Sequence, residues 1–572
     1  MLRGSGLQLH GGRHRRRPSR ALLAGLAAVC AGPACVAKPE PLPTGVIAVM
    51  EADQTASFVR NFNPLLEGGD ARWPTRRAMY EPMMIFNPSA GTWHPWLATG
   101  SELSADRTRI RFGLRTDVTW SDGAPFSARD VAFTFDLLHR FPPLDARGLW
   151  QRLESVSALD PGTVELVLRK PHAPAFEEIA QQAIVPEHLW AAIGDPVRFD
   201  NPNPVATGPF TEIRFFGDQA YEVGRNPRYW QQGKPGLTAL RFRAYPANEP
   251  VTLALLRDEL DWAGAFVPAI ERVYVQRDPV RHHIWVPLLD ATVFLYANTL
   301  HPPFDDIRAR KAVSMSIDRG RIAKVAMQGH TRPADATGLG EAYARYRDPD
   351  AAKLGAAWVA HDEEGAGRLL DELGYRKPAG AAKDGLRRND RGQPLSLVID
   401  VPSGFSDWIA AAQIMAHGLR RVGVAVTVRA SDYQAWFERL STGAFDLSMA
   451  GSDLDTTPYG FYRSLMSTTT VRPRGEEAAE NWHRLGLPET DAIFAGLEAT
   501  ADVAEEHRLI GELERIFART APAIPLFPGP LWGQFNSGRA TGFPDENDPY
   551  APLSPNIDGP QPLLVLTHLE PR

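Results

Sequence analysis

Few residue types in this chain are placed to do covalent or metal chemistry. There are two cysteines, Cys30 and Cys35, both near the N-terminus, so no disulfide framework or cysteine zinc site can form beyond them. His282 and His283 are adjacent; neighbouring residues of a strand point to opposite faces, so one metal ion would not use both. No nucleophile-elbow pattern G-x-S-x-G occurs, and no H-E-x-x-H or phosphate-binding G-x-x-x-x-G-K-[ST]. The pair Asp305-Asp306 precedes a helical pattern and reads as a cap. The run Asp545-Glu546-Asn547-Asp548 lacks EF-hand spacing and reads as a polar loop. Aromatic side chains are abundant instead: 14 Trp, 13 Tyr and 26 Phe. Several stand in loop-like sequence beside Gly, Pro or Asn, among them Trp73, Trp96, Trp408, Trp436, Tyr459, Trp532 and Tyr550. Rings so placed can stack on sugars or form pockets for peptide side chains. Trp120, in WSDG at the end of a strand pattern, reads as structural.

Rings that bind need a scaffold to hold them. The chain has 572 residues, about two to four domains at roughly 150 residues each. Hydrophobic residues make up 44% and charged residues 23%, a globular balance that excludes a wholly disordered, collagenous or coiled-coil chain. The formal net charge of -6 argues against a general nucleic-acid binder, which would carry a basic face. RIRFGL (109–114) and TVELVLRK (163–170) alternate apolar and polar residues, the signature of half-buried strands. AVTVRA after Gly423 continues a third. EEHRLIGELERIFART puts Leu509, Leu513, Ile516 and Phe517 on one helical stripe. SDWIAAAQIMAHGLRRVG reads as a helix capped by Ser406 or Asp407 and stopped by Gly423. DDIRARKAVSMSIDRGRIAKVAM reads as two helices, with Asp305 and Asp318 as caps. Strands interleaved with helices point to α/β layers.

The N-terminus reads as an address. Residues 1–37 carry six arginines and no acidic residue, and an apolar run from Ala21 to Gly32 follows them. That run is too short to span a bilayer and suits a signal-peptide core. Cleavage is expected near Ala34 to Ala37. Cys35 is a lipidation candidate, although Gly32 stands where a branched apolar residue is expected. The expected location is the periplasm or cell envelope, with or without a lipid anchor.

Several strings carry a family likeness. LRTDVTWSDGAPFSARDVAFTFD (114–136) resembles the signature of the family 5 extracellular solute-binding proteins, the receptors of ABC importers for oligopeptides, nickel and some oligosaccharides. VATGPFTEIRF (205–215), RNPRYW (225–230) and FDDIRARKAVSMSIDRGRIAKVAMQG (304–329) agree in order, and the likeness runs through nearly the whole chain after about Pro43. RNFNPL (60–65), WPTRRAMYEP (73–82), TTPYGFYR (456–463) and TGFPDENDPYA (541–551) resemble the branch that contains receptors for cellobiose and other β-glucosides.

The resemblance implies an α/β, two-lobed periplasmic-binding-protein fold, with a hinge between the lobes and a third, inserted domain. The expected division is a signal at 1–37, lobe I at 43–88, 205–290 and 520–572, the inserted domain at 89–204, and lobe II at 291–519. It further implies a monomer without catalytic residues, cofactor or metal, which captures a peptide or β-linked oligosaccharide and delivers it to an ABC permease with separate ATPase subunits. The missing phosphate-binding motif agrees with a separate ATPase. Trp408, Trp436 and Trp532 are the expected stacking contacts. Asp455 stands where peptide receptors of the family place the carboxylate for the ligand's α-ammonium, although Ser452 replaces the usual tryptophan before it. Two other readings are a secreted glycan-active hydrolase, which needs a carboxylate pair flanking the bond, and a receptor that serves a sensor instead of a pore.

Overall fold

The computed structural model describes residues 42–572 apart from 52–54, 67–70, 173, 381, 383, 384, 455, 501 and 558. Val46–Met50 is apolar along its whole length and buried on both faces, as expected of a central strand with parallel partners. It pairs in parallel with Ala239–Arg243 and with Trp262–Ala263. The sheet around it runs His282–Ile284, Gln534–Asn536, Trp262–Ala263, Val46–Met50, Ala239–Arg243, Ala220–Arg225 and Phe210–Phe216. This is the sheet of the first lobe.

The second lobe is built on a five-stranded sheet in the order Ala425–Ser431, Ser396–Pro402, Leu447–Gly451, Asp290–Ala297 and Ile524–Gly529. Its strand Asp290–Ala297 sends Val293, Leu295 and Ala297 into one apolar cluster and Phe294 and Tyr296 into another. Helices therefore cover both faces of this sheet, as the period-2 alternation of a strand requires.

Two crossings join the lobes, one between Ile284 and Asp290 and the other between Gly529 and Gln534. They run side by side: the Trp285 N–H donates to the Gly533 carbonyl and the Leu531 N–H to the Pro287 carbonyl, each at 2.9 Å. Two short linkers bonded to each other, with a sheet at either end, make a hinge. The expected return to lobe I at 520 falls too early, because Ile524–Gly529 still pairs with Asp290–Ala297. The return crossing is at 530–533.

The segment expected to form the inserted domain holds an antiparallel sheet of Ala98–Leu103, Arg109–Leu114, Thr163–Leu168 and Leu153–Asp160. In Arg109–Leu114, Ile110, Phe112 and Leu114 are buried and the residues between them exposed, the alternation read from the sequence. Helix Ala128–Arg140 packs on this sheet. Ser127 and Asp130 form a capping box at its start. Apolar residues of this sheet and of the first lobe merge into one core.

The T-G-P-F turn of the family-like strings is a close-approach site. The Gly208 N–H donates to the Met79 carbonyl at 2.7 Å. A Cβ at Gly208 would stand 2.4 Å from the carbonyl oxygens of Ala78 and Met79. Beside it, the buried Glu81 carboxylate accepts from Trp96 (2.7 Å), Tyr229 (2.9 Å) and Trp230 (3.1 Å). The Y-W of RNPRYW thus ties down the start of the inserted segment. Among the described residues, no helix is long and apolar enough to cross a membrane.

Candidate functional site

A cavity of about 680 Å³ lies between the lobes beside the hinge. The first lobe contributes Thr75, Arg76, Arg77, Asn248 and Phe266 to its walls. The crossings and their flanks contribute Asp290, Pro530 and Trp532, and the second lobe Phe405, Asp407, Trp408, Tyr433 and Phe437. Two of the expected stacking rings are here. Trp408 stands in the first turn of helix Ser406–Arg421, half-buried, with its ring edge-on to Phe405 at 5.3 Å. Trp532 comes from the return crossing and meets Phe266 edge-on at 5.4 Å and His330 at 5.2 Å. Tyr433 and Phe437, one turn apart on helix Tyr433–Thr442, lie parallel at 6.3 Å and add a further wall.

Trp436 stands one layer back and does not line the cavity. It is 5% exposed, and its Nε1–H donates to Ser448 Oγ at 3.1 Å. On this helix, positions 433 and 437 share one face, while 436 and 440 share another that is turned onto the sheet. Trp436 and Leu440 are both buried there. Trp436 therefore backs Trp408, edge-on at 6.5 Å. Asp455 lies outside the described residues, as do Cys35 and the whole of 1–37.

The first-lobe wall is fixed by a buried ion pair. Arg72 Nη1 meets Glu51 Oε2 at 3.0 Å, and Glu51 Oε1 accepts from the Trp73 N–H and from the Tyr221 hydroxyl. Arg76 donates to the Pro64 carbonyl at 2.8 Å and Arg77 to the Ile557 carbonyl at 3.1 Å. Thr75 Oγ1 and Asn556 Oδ1, both on residues that line the cavity, make no hydrogen bond among the described residues. They are groups a ligand N–H or O–H can satisfy.

Asp407 departs from its expected role as a helix cap. Phe405 is the cap residue, and Asp407 sits within the first turn, 5% exposed and on the cavity wall. Burial pushes its carboxyl up to about 6, while the N–H groups of Asp407 and Trp408 and the side chain of Asn248 pull the other way. Asn248 Nδ2, from the first lobe, stands 3.4 Å from Asp407 Oδ1. The similar expectation for Asp305 is also corrected: Asp306 caps Ile307–Met315, accepting from the Arg308 N–H at 2.8 Å. Asp318 does cap the short helix after it. His282 and His283 point to opposite sides of their strand: His282 stacks on Tyr274 and His283 on Phe535.

The lobes touch on both rims of the cavity. The Asn248 N–H donates to the Gly404 carbonyl at 3.2 Å, and the Ala269 N–H to Gln328 Oε1 at 2.6 Å. On another side, Glu177 of the inserted segment accepts from the Thr456 N–H at 2.9 and 3.1 Å. A smaller cavity of about 150 Å³ opens there, lined by Gln181, Arg345 and Gln561 and sharing Arg76 with the main one.

The family model for bacterial extracellular solute-binding proteins, family 5 Middle, matches residues 92–472, more than half of the chain. The chain belongs to this family. As a family 5 protein it has the two-lobed α/β fold and the role of a solute-binding protein. Di/tripeptide-binding protein 2 of Pseudomonas aeruginosa is 26% identical over 78% of this chain and 83% of its own length. The nickel-binding periplasmic protein of Escherichia coli K12 is 25% identical over 84% of this chain and 88% of its own. The crystal structure of a mannohexaose-bound periplasmic oligopeptide-binding protein of an ABC transporter from Thermotoga maritima superposes with a TM-score of 0.83. It covers 93% of this chain and 99% of its own at 23% identity, a likeness of fold. Family 5 relatives thus carry names that span peptides and nickel. The rings, Thr75, Asn556 and Asp407 are what this member brings to its cleft. Sequence reasoning missed Phe266, Thr75, Asn556 and the exposure of Asp407 to the cleft. Thr75 lies within WPTRRAMYEP and Asp407 within the helical string SDWIAAAQIMAHGLRRVG, whereas Phe266 and Asn556 stand outside the quoted strings.

Proposed function

We propose that this family 5 protein is the ligand-capturing receptor of an ABC importer, and that it closes on a short peptide or β-linked oligosaccharide. The observation that carries this reading is the aromatic-walled cavity at the hinge, with Trp408 on the second lobe and Trp532 on the crossing both lining it. Its volume of about 680 Å³ falls within the roughly 300–1,000 Å³ of small-ligand sites. Both candidate ligands offer apolar faces to rings and polar edges to Thr75, Asn556 and backbone groups. Closing the hinge desolvates the ligand, and the closed form is what a permease would recognise. The name of the Pseudomonas relative supports peptides, and the strings shared with the β-glucoside branch support oligosaccharides.

Export follows from the Arg-rich leader, with residues 1–37 removed and Cys35 as a candidate lipid attachment point. The partner is a permease driven by separate ATPase subunits. A thermal-shift panel of di- and tripeptides against cello- and manno-oligosaccharides tests capture. A ligand at 100 times its Kd stabilises by about 2.7 kcal/mol. Silence across the panel would defeat the reading. N-terminal sequencing of protein from the cell envelope tests export, and an intact Met1 would defeat it.

A further inference from the structure

At one rim of the cavity, two residues from opposite lobes share an uncommon backbone conformation. Ala269 of the first lobe has a φ of +52°, and so does Gln328 of the second. Few residues other than glycine adopt that region, and those that do cluster at functional sites. Here they face each other, the Ala269 N–H donating to Gln328 Oε1 at 2.6 Å. Gly329, at a φ of +89°, continues the turn and leads to His330. His330 Nε2 stands 3.4 Å from Oε1 of Glu271, which follows Ala269 by two positions. The same imidazole meets the Trp532 ring at 5.2 Å and 72°, while Phe266 of the first lobe meets Trp532 at 5.4 Å and 71°. Trp532 and Phe266 line the cavity. The Glu271–His330 pair thus stands outside the ligand space yet shares Trp532 with it.

The charges around His330 are few. Among the described residues, Glu271 is the one carboxylate within 4.0 Å of its ring. The return crossing, Pro528 to Gly533, brings no charged side chain. The neighbouring charges in sequence are cations: Lys324 and Arg332 on the second lobe and Arg272 on the first. Arg332 is engaged by Glu341, and Lys324 and Arg272 are exposed to water. The His330 side chain is 17% exposed and that of Glu271 57%, so solvent screens the pair in part.

We propose that Glu271 and His330 form a proton-dependent clasp between the lobes, by which this receptor holds its ligand more tightly in mild acid. The proposal rests on the reading of the cleft as a capture site and adds its regulation. A neutral imidazole offers Glu271 no charge, whereas an imidazolium faces it with a full one. A histidine ordinarily takes up its proton below about pH 6.5, and a glutamate keeps its charge down to about pH 4.3. Between those values both partners are charged, and only closed lobes bring them together. Closure and protonation therefore favour each other. A partly exposed pair of this kind is worth about a two- to five-fold shift toward the closed form. Trp532 links the clasp to the ligand, because a ligand resting on that ring also steadies the surface on which His330 packs.

Hydrogen exchange of the ligand-free full chain reads the clasp at the Ala269 amide, whose acceptor is on the other lobe. Rates are corrected for the intrinsic effect of pH and compared at about pH 5.5 and about pH 8. We expect about two- to five-fold more protection at the lower pH, a gain absent from His330→Gln and from Glu271→Gln. Asp407, pushed up to about 6 by burial, titrates in the same range, so the gain is what wild type shows beyond the two variants. Glu271 is more than half exposed, so Glu271→Gln keeps the test decisive if His330→Gln fails to fold. An Ala269 amide that exchanges at the free rate at both pH values, or a gain that the variants retain, overturns the proposal. Calorimetric titration with trialanine and with cellotriose follows at the same two pH values. Affinity for a probe that binds should rise in acid by the same factor in wild type, beyond any change in the variants. Equal pH dependence in wild type and variants overturns the proposal and leaves the capture reading intact. Silence from both probes, with the Ala269 gain present, counts against the capture reading alone.

Discussion

Two tryptophans that look alike in sequence should fail in different ways when truncated. Trp436 is 5% exposed and donates to Ser448, which is itself 1% exposed. Removing a ring of that size forfeits about 150–250 Å² of burial, or about 4–6 kcal/mol at roughly 25 cal/mol per Å². Core Trp→Ala changes cost about 3–5 kcal/mol. The Ser448 hydroxyl also loses its donor, worth about 1 kcal/mol. A loss of about 4–5 kcal/mol is therefore expected for Trp436→Ala, with near-normal ligand affinity in the fraction that folds. Trp408→Ala should do the reverse. Its ring is half-buried and lines the cavity, so it should cost about 1–3 kcal/mol of affinity and less stability than Trp436→Ala. Urea unfolding followed by circular dichroism gives the stability, and calorimetric titration gives the affinity. A Trp436→Ala protein of wild-type stability that no longer binds would refute the two-layer arrangement, and so would a Trp408→Ala protein that unfolds as readily as Trp436→Ala.

Gly208→Ala places a Cβ 2.4 Å from two backbone carbonyl oxygens; with no flexible side chain to yield, it should cost about 1–3 kcal/mol or more in melting experiments, and a neutral result would contradict the close packing of the T-G-P-F turn. Burial raises the Glu514 carboxyl from 4.5 to about 8; the Asp348 N–H that it accepts from opposes the rise, the Asp348 and Asp335 charges add to it, and Arg347 opposes it. A carboxyl raised on folding contributes stability that is complete below about pH 4.5 and is lost as pH climbs through 8, so Glu514→Gln should flatten the decline of stability between those values, and an unchanged pH profile would contradict this. Glu177→Ala removes the acceptor of the Thr456 N–H between inserted segment and second lobe; ligand release measured by stopped flow should quicken, and unchanged kinetics would show that this contact does not hold the closed form.

What could be read in the sequence was what local periodicity encodes. Arg109–Leu114 alternates on paper and in space, and Gly423 ends its helix at a φ of +88°, where a side chain would be strained. The family strings located turns whose purpose is packing, such as Gly208 against Met79. The hinge was not legible at its return crossing. Pro530 to Gly533 has no periodicity of its own, and its place depends on the partner of Ile524–Gly529, a strand more than two hundred residues earlier in the chain. The site was half legible. An aromatic-rich window such as YQAWF announces rings but not which of them faces the cleft, because the helix phase is set by the sheet beneath. Asp407 read as a cap because its sequence setting is that of any helix start; its enclosure comes from Asn248, which lies 159 positions away.

The most direct test of capture between the lobes is a crystal structure of the chain with the probe that binds most tightly. The ligand should lie in the hinge cavity in contact with Trp408 and Trp532, with Trp436 behind the wall and untouched. Density for the ligand anywhere outside that cavity, with Trp408 and Trp532 making no contact to it, would contradict the central claim.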